Sequence, residues 1–258
     1  MTTWEVKVAL SRLHHRLLYL VKAPVVYRNW WAVALPKLGI DTVLRLRDGS
    51  RYFVRAHTLD VAVVNEAAML NPYLGSGYVQ IPPDATVIDV GANIGDFSIQ
   101  AARRCPGGRV IAIEPLRDLG VLIERQASLN GVTNITWVRA ALAGDEGITN
   151  ANRDGSQYAT PAAAAEQVPM ISLARLVADL GLARIDLLKL DCEGAEWDIL
   201  PAAEPVLARV RQICMEYHAE RGWTPQRLAE WLRRLGFEVV HTRGSWNGLL
   251  WARRPTLL

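Results

Sequence analysis

Hydrophobic positions in the first third of the chain follow two different periods. Over residues 6–21 they recur at spacings of three and four, which predicts an amphipathic helix. Residues 28–39 follow, with two adjacent tryptophans among basic neighbours. Apolar and polar residues then alternate on both sides of Asp48-Gly49, which predicts a β-hairpin. We therefore expect residues 1–80 to form an extension made of a helix and a hairpin.

From Thr86 onward, short apolar runs alternate with helical patterns. Runs such as VIAI and LLKL are apolar at successive positions, which is typical of strands covered on both faces in a parallel sheet. The repeated strand–helix units predict a doubly wound α/β fold over residues 81–258, and GFEVVHT and GLLWARR predict a terminal strand pair. Residues 150–168 break the alternation. They are polar and alanine-rich without periodicity, which predicts a loop over one face.

Charge is unevenly distributed along the chain. The 258 residues carry a net charge of +3, but residues 1–58 hold ten Lys and Arg against three Asp and Glu, so the remainder is acidic. A basic front end favours an anionic surface or partner, or else marks solvated helix faces. The tryptophan segment within it fits a peripheral contact with a membrane or a lipid-linked acceptor, a helix packed on its own domain, or a second subunit in a homo-oligomer.

Three scattered cysteines, Cys105, Cys192 and Cys214, form no CxxC pair. This favours a reducing compartment over a disulfide scaffold. Charged residues interrupt the apolar positions near the N-terminus, so we expect no secretory signal. No run approaches the ~18 uninterrupted apolar residues of a membrane span. We therefore expect a cytoplasmic protein.

A glycine-containing turn, VIDVGANIGDFS, follows the first strand of the predicted sheet. Gly91 and Gly95 occupy the point at which a doubly wound sheet binds its ligand, and glycine lets a ligand approach the backbone closely. Asp89, at the end of the strand, can accept hydrogen bonds from a donor-rich ligand. Glu114 ends the second strand 19 residues after Gly95, where a carboxylate suits the two hydroxyls of a ribose.

The chemistry of this turn separates two nucleotide cofactors. A dinucleotide normally uses GxGxxG, with its pyrophosphate at the N-terminus of the helix. Here GANIG lacks the middle glycine and Asp96 follows directly, so a carboxylate would repel the phosphate. S-adenosylmethionine has no phosphate and carries an ammonium and a sulfonium. The turn therefore indicates S-adenosylmethionine, the alternative being a purely structural turn.

Longer motifs resemble a known family. They are VIDVGANIGDFS, VIAIEP, the pairs Leu129-Asn130 and Asn134-Ile135, and IDLLKLDCEGAEWDIL. Together they resemble the FkbM family of S-adenosylmethionine-dependent methyltransferases, from about Leu44 to the C-terminus, with DCEGAE as the most specific part. The resemblance implies a class I methyltransferase fold, with a mostly parallel sheet ending in an antiparallel pair. It also implies methyl transfer, usually to a hydroxyl oxygen of a sugar or natural product.

The same resemblance implies a set of cofactor-binding residues. Glu114, followed by Pro115, would take the ribose hydroxyls, and Ala141 would lie along the adenine. The residues that would wrap the methionine and ribose are Asp89, Gly91, Ala92, Asn93 and Gly95.

Methyl transfer to a hydroxyl also needs a group that removes the proton. The fourth and fifth strands deliver ionisable residues to the edge where the cofactor turn lies. Our hypothesis is that His218 acts as the base, because its ordinary pKa suits neutral pH, with Asp191 or Glu216 orienting the imidazole. The competing hypothesis is a Mg²⁺-like ion held by Asp191, Glu193 and Glu216.

Other charged residues near these strands have structural interpretations. Glu193 also suits a cap on the helix that follows it, since acids favour the first turn. Glu196 and Asp198 are expected as acids on the surface of that helix. Lys189 lies within an apolar strand and needs a partner if it is buried, for which Asp191 is a candidate.

The acceptor pocket is expected beneath residues 150–168 and the Tyr73–Tyr78 loop. Trp223 and Trp246 would stack on a sugar ring or pack in the core. The sequence thus predicts an O-methyltransferase that acts on a sugar, a glycan or a glycosylated natural product. An N-methyltransferase or a methyltransferase of another small molecule is the alternative, followed by an NAD-dependent oxidoreductase and a non-catalytic binding protein. DNA methyltransferases usually carry the signature Asn/Asp-Pro-Pro-aromatic. Residues 71–73, Asn-Pro-Tyr, match it only in part, so we expect no nucleic-acid substrate.

Overall fold

The computed structural model describes residues 21–151, 166–218, 224–242 and 247–255. The chain divides into two compact units, Met1–Asn71 and Pro72–Leu258. Most of the predicted N-terminal helix lies outside the described residues, as do Trp223 and Trp246, while residues 21–26 are helical. The boundary at residues 80/81 stays a prediction of where the cofactor-binding domain begins. Among the described residues, no helix is long and apolar enough to cross a membrane.

The first unit contains the predicted hairpin. A 3₁₀ helix, Trp30–Leu38, precedes the antiparallel strands β1 (Thr42–Arg45) and β2 (Arg51–Val54). The helix α1 (Asp60–Asn65) follows and continues into a π-helical turn, Glu66–Leu70. Tyr27 is fully buried and its hydroxyl donates a hydrogen bond of 2.7 Å to the Asn65 side chain. The hairpin and the helical segment thus share one small core.

The second unit is built from alternating strands and helices. In chain order they are β3 (Thr86–Val90), α2 (Asp96–Arg104), β4 (Arg109–Ile113), α3 (Arg117–Asn130), β5 (Ile135–Val138), β6 (Ala141–Leu142), β7 (Gly147–Ala151), β8 (Glu166–Ile171), α4 (Leu173–Asp179), β9 (Leu187–Leu190), α5 (Glu196–Ala202), α6 (Glu204–Leu207), β10 (Gln212–His218), α7 (Pro225–Arg234), β11 (Glu238–His241) and β12 (Asn247–Arg253).

A seven-stranded sheet forms the centre of this unit. Its strand order is β11-β12-β10-β9-β3-β4-β5. The five strands from β10 to β5 in this order are parallel, and β12 is antiparallel to both β10 and β11. The predicted doubly wound α/β fold with a terminal antiparallel pair is therefore confirmed, and β12 inserts between β10 and β11.

The apolar run LLKL explains why β9 lies at the middle of the sheet. All four of its residues are buried, and successive side chains point to opposite faces. Leu188 and Leu190 pack with Ile88 on one face, whereas Leu187 packs with Val87 on the other. Lys189 points to the same face as Leu187, so a cation enters an otherwise apolar layer.

The prediction of a loop over residues 150–168 is wrong at both ends of this segment, where the structure has strands. β7 and β8 pair antiparallel there, and β6 pairs with β8 to complete a three-stranded sheet. In the sequence, Pro169 disfavours the prediction of a strand, because proline has no backbone N–H to donate to a neighbouring strand. Proline is tolerated at position 169 because β6 pairs only with Met170 and Ile171. On the side of β8 that faces β6, Pro169 therefore has no strand partner with which it would need to form a hydrogen bond. Residues 152–165 lie outside the described part.

Gly91 is required by the chain itself. Its φ of +71° is left-handed, and a Cβ atom there would lie 1.8 Å from the backbone carbonyl oxygen of Asp191. The sequence predicts that a ligand approaches this glycine, but the Asp191 backbone already lies against it. Gly91 lets the turn after β3 pack directly against the end of β9.

We predict that Gly91→Ala destabilises the protein by at least about 3 kcal/mol, because left-handed strain adds to a clash with backbone. Gly131→Ala is the matched control, since Gly131 has a φ of +64° and a Cβ added there would meet nothing within 4 Å. It should cost only about 1 kcal/mol. Guanidinium unfolding measures both changes, and equal losses would contradict the proposed clash.

Candidate active site

The carboxyl ends of four parallel strands bring the predicted site residues to one edge of the sheet. Asp89 lies in β3, Glu114 follows β4, Asp191 follows β9 and His218 ends β10. One ligand atom from each of Asp191, Glu216 and His218 lies within 4.8 Å of the others. The structure thus brings these three residues together, because adjacent parallel strands end at the same edge of the sheet.

The turn after β3 has an unusual backbone that the neighbouring strand supports. Gly91, Asn93 and Gly95 all have positive φ values, of 71°, 50° and 85°. The buried Glu114 carboxylate accepts hydrogen bonds from the backbone N–H groups of Asn93 (2.9 Å) and Leu116 (3.0 Å). Glu114 therefore fixes the turn to the end of β4, at the position where a ribose was expected.

Two carboxylates beside this turn ionise less readily than usual. Burial raises the pKa of Glu114 to about 7, although its two backbone hydrogen bonds and Lys189 lower it. Burial also raises the pKa of Asp96, the first residue of α2, to about 7. A ligand that brings positive charge or hydroxyl donors favours the ionised forms, whereas a phosphate opposes them. These residues therefore fit S-adenosylmethionine better than a dinucleotide.

Asp89 supports the turn from within the core. Its carboxylate is fully buried, lies 3.0 Å from the Lys189 ammonium and accepts a 2.6 Å hydrogen bond from the Ser98 hydroxyl. Lys189 also donates to the backbone carbonyl oxygens of Gly91 (2.9 Å) and Val90 (3.2 Å). The contact between Asp89 and a cofactor stays a prediction, and it would have to coexist with these partners.

Lys189 is buried as the apolar strand implied, but its nearest acidic partner differs from the predicted one. Asp191 lies 3.9 Å from the ammonium, farther than Asp89. Although burial lowers the pKa of Lys189, the carboxylates of Asp89 and Asp191 raise it above its ordinary value. Lys189 is therefore a permanent cation within a group of acids.

Tyr73 contacts Asp191 at this edge of the sheet. Its hydroxyl donates a 2.7 Å hydrogen bond to Asp191, and its backbone carbonyl accepts one of 2.8 Å from the Trp251 indole. Burial and the Asp191 charge raise the pKa of Tyr73 well above its ordinary value, so the hydroxyl keeps its proton. The sequence placed Tyr73 only in a covering loop, because its contact with Asp191 joins residues 118 positions apart.

Glu196 orients His218, and two predictions about these residues are wrong. Glu196 was expected on a helix surface, yet it is fully buried and lies 3.3 Å from His218 Nδ1. It takes the orienting position that was assigned to Asp191 or Glu216. Its oxygens also accept hydrogen bonds from the backbone N–H groups of Cys192 (2.8 Å) and Gly194 (2.9 Å). An acid early in a helix often reaches back in this way, and that was the missed signal.

The hydrogen bond to Glu196 also changes the acid–base behaviour of His218. It raises the pKa of His218 to about 9, although burial lowers it, and Glu216 and Glu193 add smaller increases. The prediction of a base with an ordinary pKa is therefore wrong, since His218 is protonated at neutral pH. Trp197 fixes the strand end as well, because its indole N–H donates to the His218 carbonyl.

Glu193 occupies a different place from the one predicted for a metal ligand. It is exposed and lies 3.6 Å from His218 Nε2, and Glu196 instead of Glu193 satisfies the N–H groups before α5. The closely grouped ligands are Asp191, Glu216 and His218. Because His218 is protonated at neutral pH, a divalent cation that used this imidazole would first have to displace its proton.

The sheet order, the glycine turn after β3 and Glu114 after β4 are together those of a class I methyltransferase fold. The family described as Methyltransferase FkbM domain matches residues 89–239, more than half of the chain. The chain therefore belongs to the FkbM family and carries an S-adenosylmethionine-dependent methyltransferase domain.

Relatives agree with this assignment. The chain is 33% identical over 208 residues to the AMB antimetabolite synthetase AmbE of Pseudomonas aeruginosa, covering 62% of this chain but 10% of that protein. It is 26% identical over 204 residues to the methyltransferase sdnD of Sordaria araneosa, covering 64% and 78%. The structure of an FkbM methyltransferase from Methylobacillus flagellatus shares the fold, with a TM-score of 0.51, 17% identity and coverage of 75% and 53%.

We predict that Glu196→Gln lowers the pKa of His218 from about 9 toward its ordinary value, because the charge that stabilises the imidazolium is removed. NMR titration of the His218 ring measures the change. Glu193→Gln is the matched control and should shift this pKa much less, because Glu193 is exposed and makes no hydrogen bond of this kind. Equal shifts in the two variants would contradict the pairing.

Proposed function

We propose that the protein transfers a methyl group from S-adenosylmethionine to a hydroxyl of a sugar, a glycan or a glycosylated natural product. The observation that carries this proposal is the group of Asp191, Glu216 and His218 at the strand edge that also holds the cofactor turn. Carboxylates accept hydrogen bonds from neighbouring hydroxyls of a sugar, and a histidine can receive the proton that methylation releases.

The residues that would hold the cofactor are those around the turn after β3. Glu114 would accept the ribose hydroxyls, and Asp96 lies where a positive charge is favourable. When bound, S-adenosylmethionine supplies an electrophilic methyl group on a positively charged sulfur. Gly91 and Gly95 hold the turn in place, because a Cβ atom on Gly91 would meet the Asp191 backbone and one on Gly95 would meet Ile123.

His218 is the proposed base for the acceptor hydroxyl. Glu196 holds its Nδ1, which leaves Nε2 to face the acceptor, with Glu193 3.6 Å away. Because its pKa is about 9, His218 must first lose a proton to solvent at neutral pH. The same carboxylates that raise this pKa stabilise the imidazolium that forms when the acceptor proton arrives.

An N-methyltransferase is the second candidate, because a neutral amine can accept a methyl group without a strong base. The pair of buried Glu196 and half-buried His218 supports a hydroxyl acceptor, since a neutral amine has no proton that this pair must take before transfer. We also propose a cytoplasmic location, which the free thiols Cys105, Cys192 and Cys214 support.

Glu114 and Asp96 must ionise to receive S-adenosylhomocysteine, and the pKa of each is about 7. We therefore predict that the affinity for this ligand increases as the pH rises from about 6 to about 8, by about tenfold for each of the two carboxylates. Calorimetry measures the dissociation constant. Glu114→Gln and Asp96→Asn should each remove part of the pH dependence. A dependence that neither variant changes would contradict these assignments.

We predict that His218→Ala lowers the turnover of a glycosylated acceptor by about a hundredfold or more while cofactor binding is retained. The wild-type rate should rise with pH toward about 9, because deprotonation of His218 creates the base. Glu196→Gln should reach its plateau at lower pH. Labelled S-adenosylmethionine measures transfer. The matched control is His241→Ala, in the half-buried last position of β11, which should keep full activity.

Three outcomes would contradict this mechanism. They are full activity of His218→Ala, loss of wild-type activity on exhaustive chelation, and wild-type transfer to an amine analogue with none to the corresponding hydroxyl acceptor. The second would favour a metal at Asp191 and Glu216, and the third an N-methyltransferase.

A further inference from the structure

Exposed hydrophobic side chains are concentrated in the first unit. Within the described part of the chain, eight of the twelve large exposed hydrophobic residues lie between Val21 and Leu70, although this unit is the smaller one. Single exposed hydrophobic residues are normal on a protein surface, but a concentration of them marks an interaction site.

The 3₁₀ helix Trp30–Leu38 has an inverted pattern of burial. Its small residue Ala32 and its Pro36 are buried, whereas Trp30 and Trp31 are 52% and 60% exposed and Leu38 is also exposed. A helix that packs only on its own domain buries its largest side chains. This helix is therefore anchored by small residues and directs its tryptophans outward.

Two further exposed apolar side chains precede the tryptophans in the chain. Val21 and Val25 are one helical turn apart in residues 21–26, so they share a face, and they are 73% and 71% exposed. The surface residues that we call the tryptophan face are Val21, Val25, Trp30, Trp31 and Leu38.

Cations accompany these residues in the sequence. Arg28 and Lys37 flank the two tryptophans and are exposed, as are Arg45 and Arg47 of the hairpin region. Among the described residues of this unit, the exposed acids are fewer than these cations, and they accept hydrogen bonds from neighbouring groups. Asp41 accepts a 2.7 Å hydrogen bond from the Ala56 N–H, and Asp48 accepts hydrogen bonds from the Ser50 N–H and hydroxyl. The surface of this unit is therefore positively charged.

We propose that the tryptophan face docks the protein onto the surface of an anionic lipid bilayer. Tryptophan favours the zone between headgroups and acyl chains, and Lys and Arg side chains pair with anionic headgroups. A second copy of this chain would bring a surface of the same charge and would be repelled. This inference concerns binding alone, so it stands independently of the methyl acceptor.

The experiment is cosedimentation of the full chain with sucrose-loaded vesicles. We expect binding to vesicles of phosphatidylcholine and phosphatidylglycerol in equal amounts, and much weaker binding to phosphatidylcholine alone. Trp30→Ala/Trp31→Ala should lower the partition coefficient by about tenfold or more, because the apolar anchor is lost. Raising the salt to about 1 M should weaken binding as well, since screening shortens the range of the charges.

Two valine variants form a matched pair. Val21→Ala/Val25→Ala removes exposed valines from the tryptophan face, whereas Val121→Ala/Val240→Ala removes exposed valines from the second unit. Only the first should reduce vesicle binding. Thermal unfolding and S-adenosylhomocysteine binding show that each variant remains folded.

The proposal is overturned if the wild-type protein does not bind the mixed vesicles, or if Trp30→Ala/Trp31→Ala binds them equally well. It is also overturned if light scattering shows a wild-type dimer that this variant splits while vesicle binding is absent. In that case the tryptophan face is an interface between two copies of the chain.

Discussion

The buried ion pair between Asp89 and Lys189 is the interaction on which the rest of the site depends. Removing two charges from water is costly, and their attraction alone seldom repays it. Here the Ser98 hydroxyl donates to Asp89 Oδ2, and Lys189 donates to the carbonyl oxygens of Val90 and Gly91. Within the described part of the chain, Asp89 Oδ1 is buried without a hydrogen bond and has only the ammonium 3.0 Å away. The pair thereby joins the end of β3 to β9, so that the turn after β3 is held beside Asp191.

Around this pair, acids outnumber the buried cation. Lys189 lowers the pKa of both Asp96 and Glu114, but burial outweighs it and raises each pKa to about 7. A buried carboxylate ionises less readily than one in water, and a ligand that brings positive charge favours its ionised form. Perturbed pKa values of this kind are concentrated at functional sites, because the protein retains an unfavourable arrangement that a ligand relieves.

The sequence predicted the sheet and its edge because both follow from local patterns. A strand such as LLKL reveals its burial by its composition, and Asp191 and His218 follow from where strands end. Glu196 was misassigned because its neighbours in the chain resemble a helix surface, and only the packing of α5 beside β10 buries it. The pKa of His218 depends on that contact. Gly91 could be recognised as necessary, but the atom that approaches it belongs to a strand about a hundred residues away.

The position of β12 has a consequence for how this domain is made. Although β12 is the last strand of the sheet in chain order, it lies between β10 and β11 and not at an edge. During synthesis, β10 and β11 must therefore wait with unpaired edges until β12 leaves the ribosome. Open strand edges are the places where partly folded chains associate with one another. The nascent domain is thus most vulnerable to aggregation just before its fold is complete.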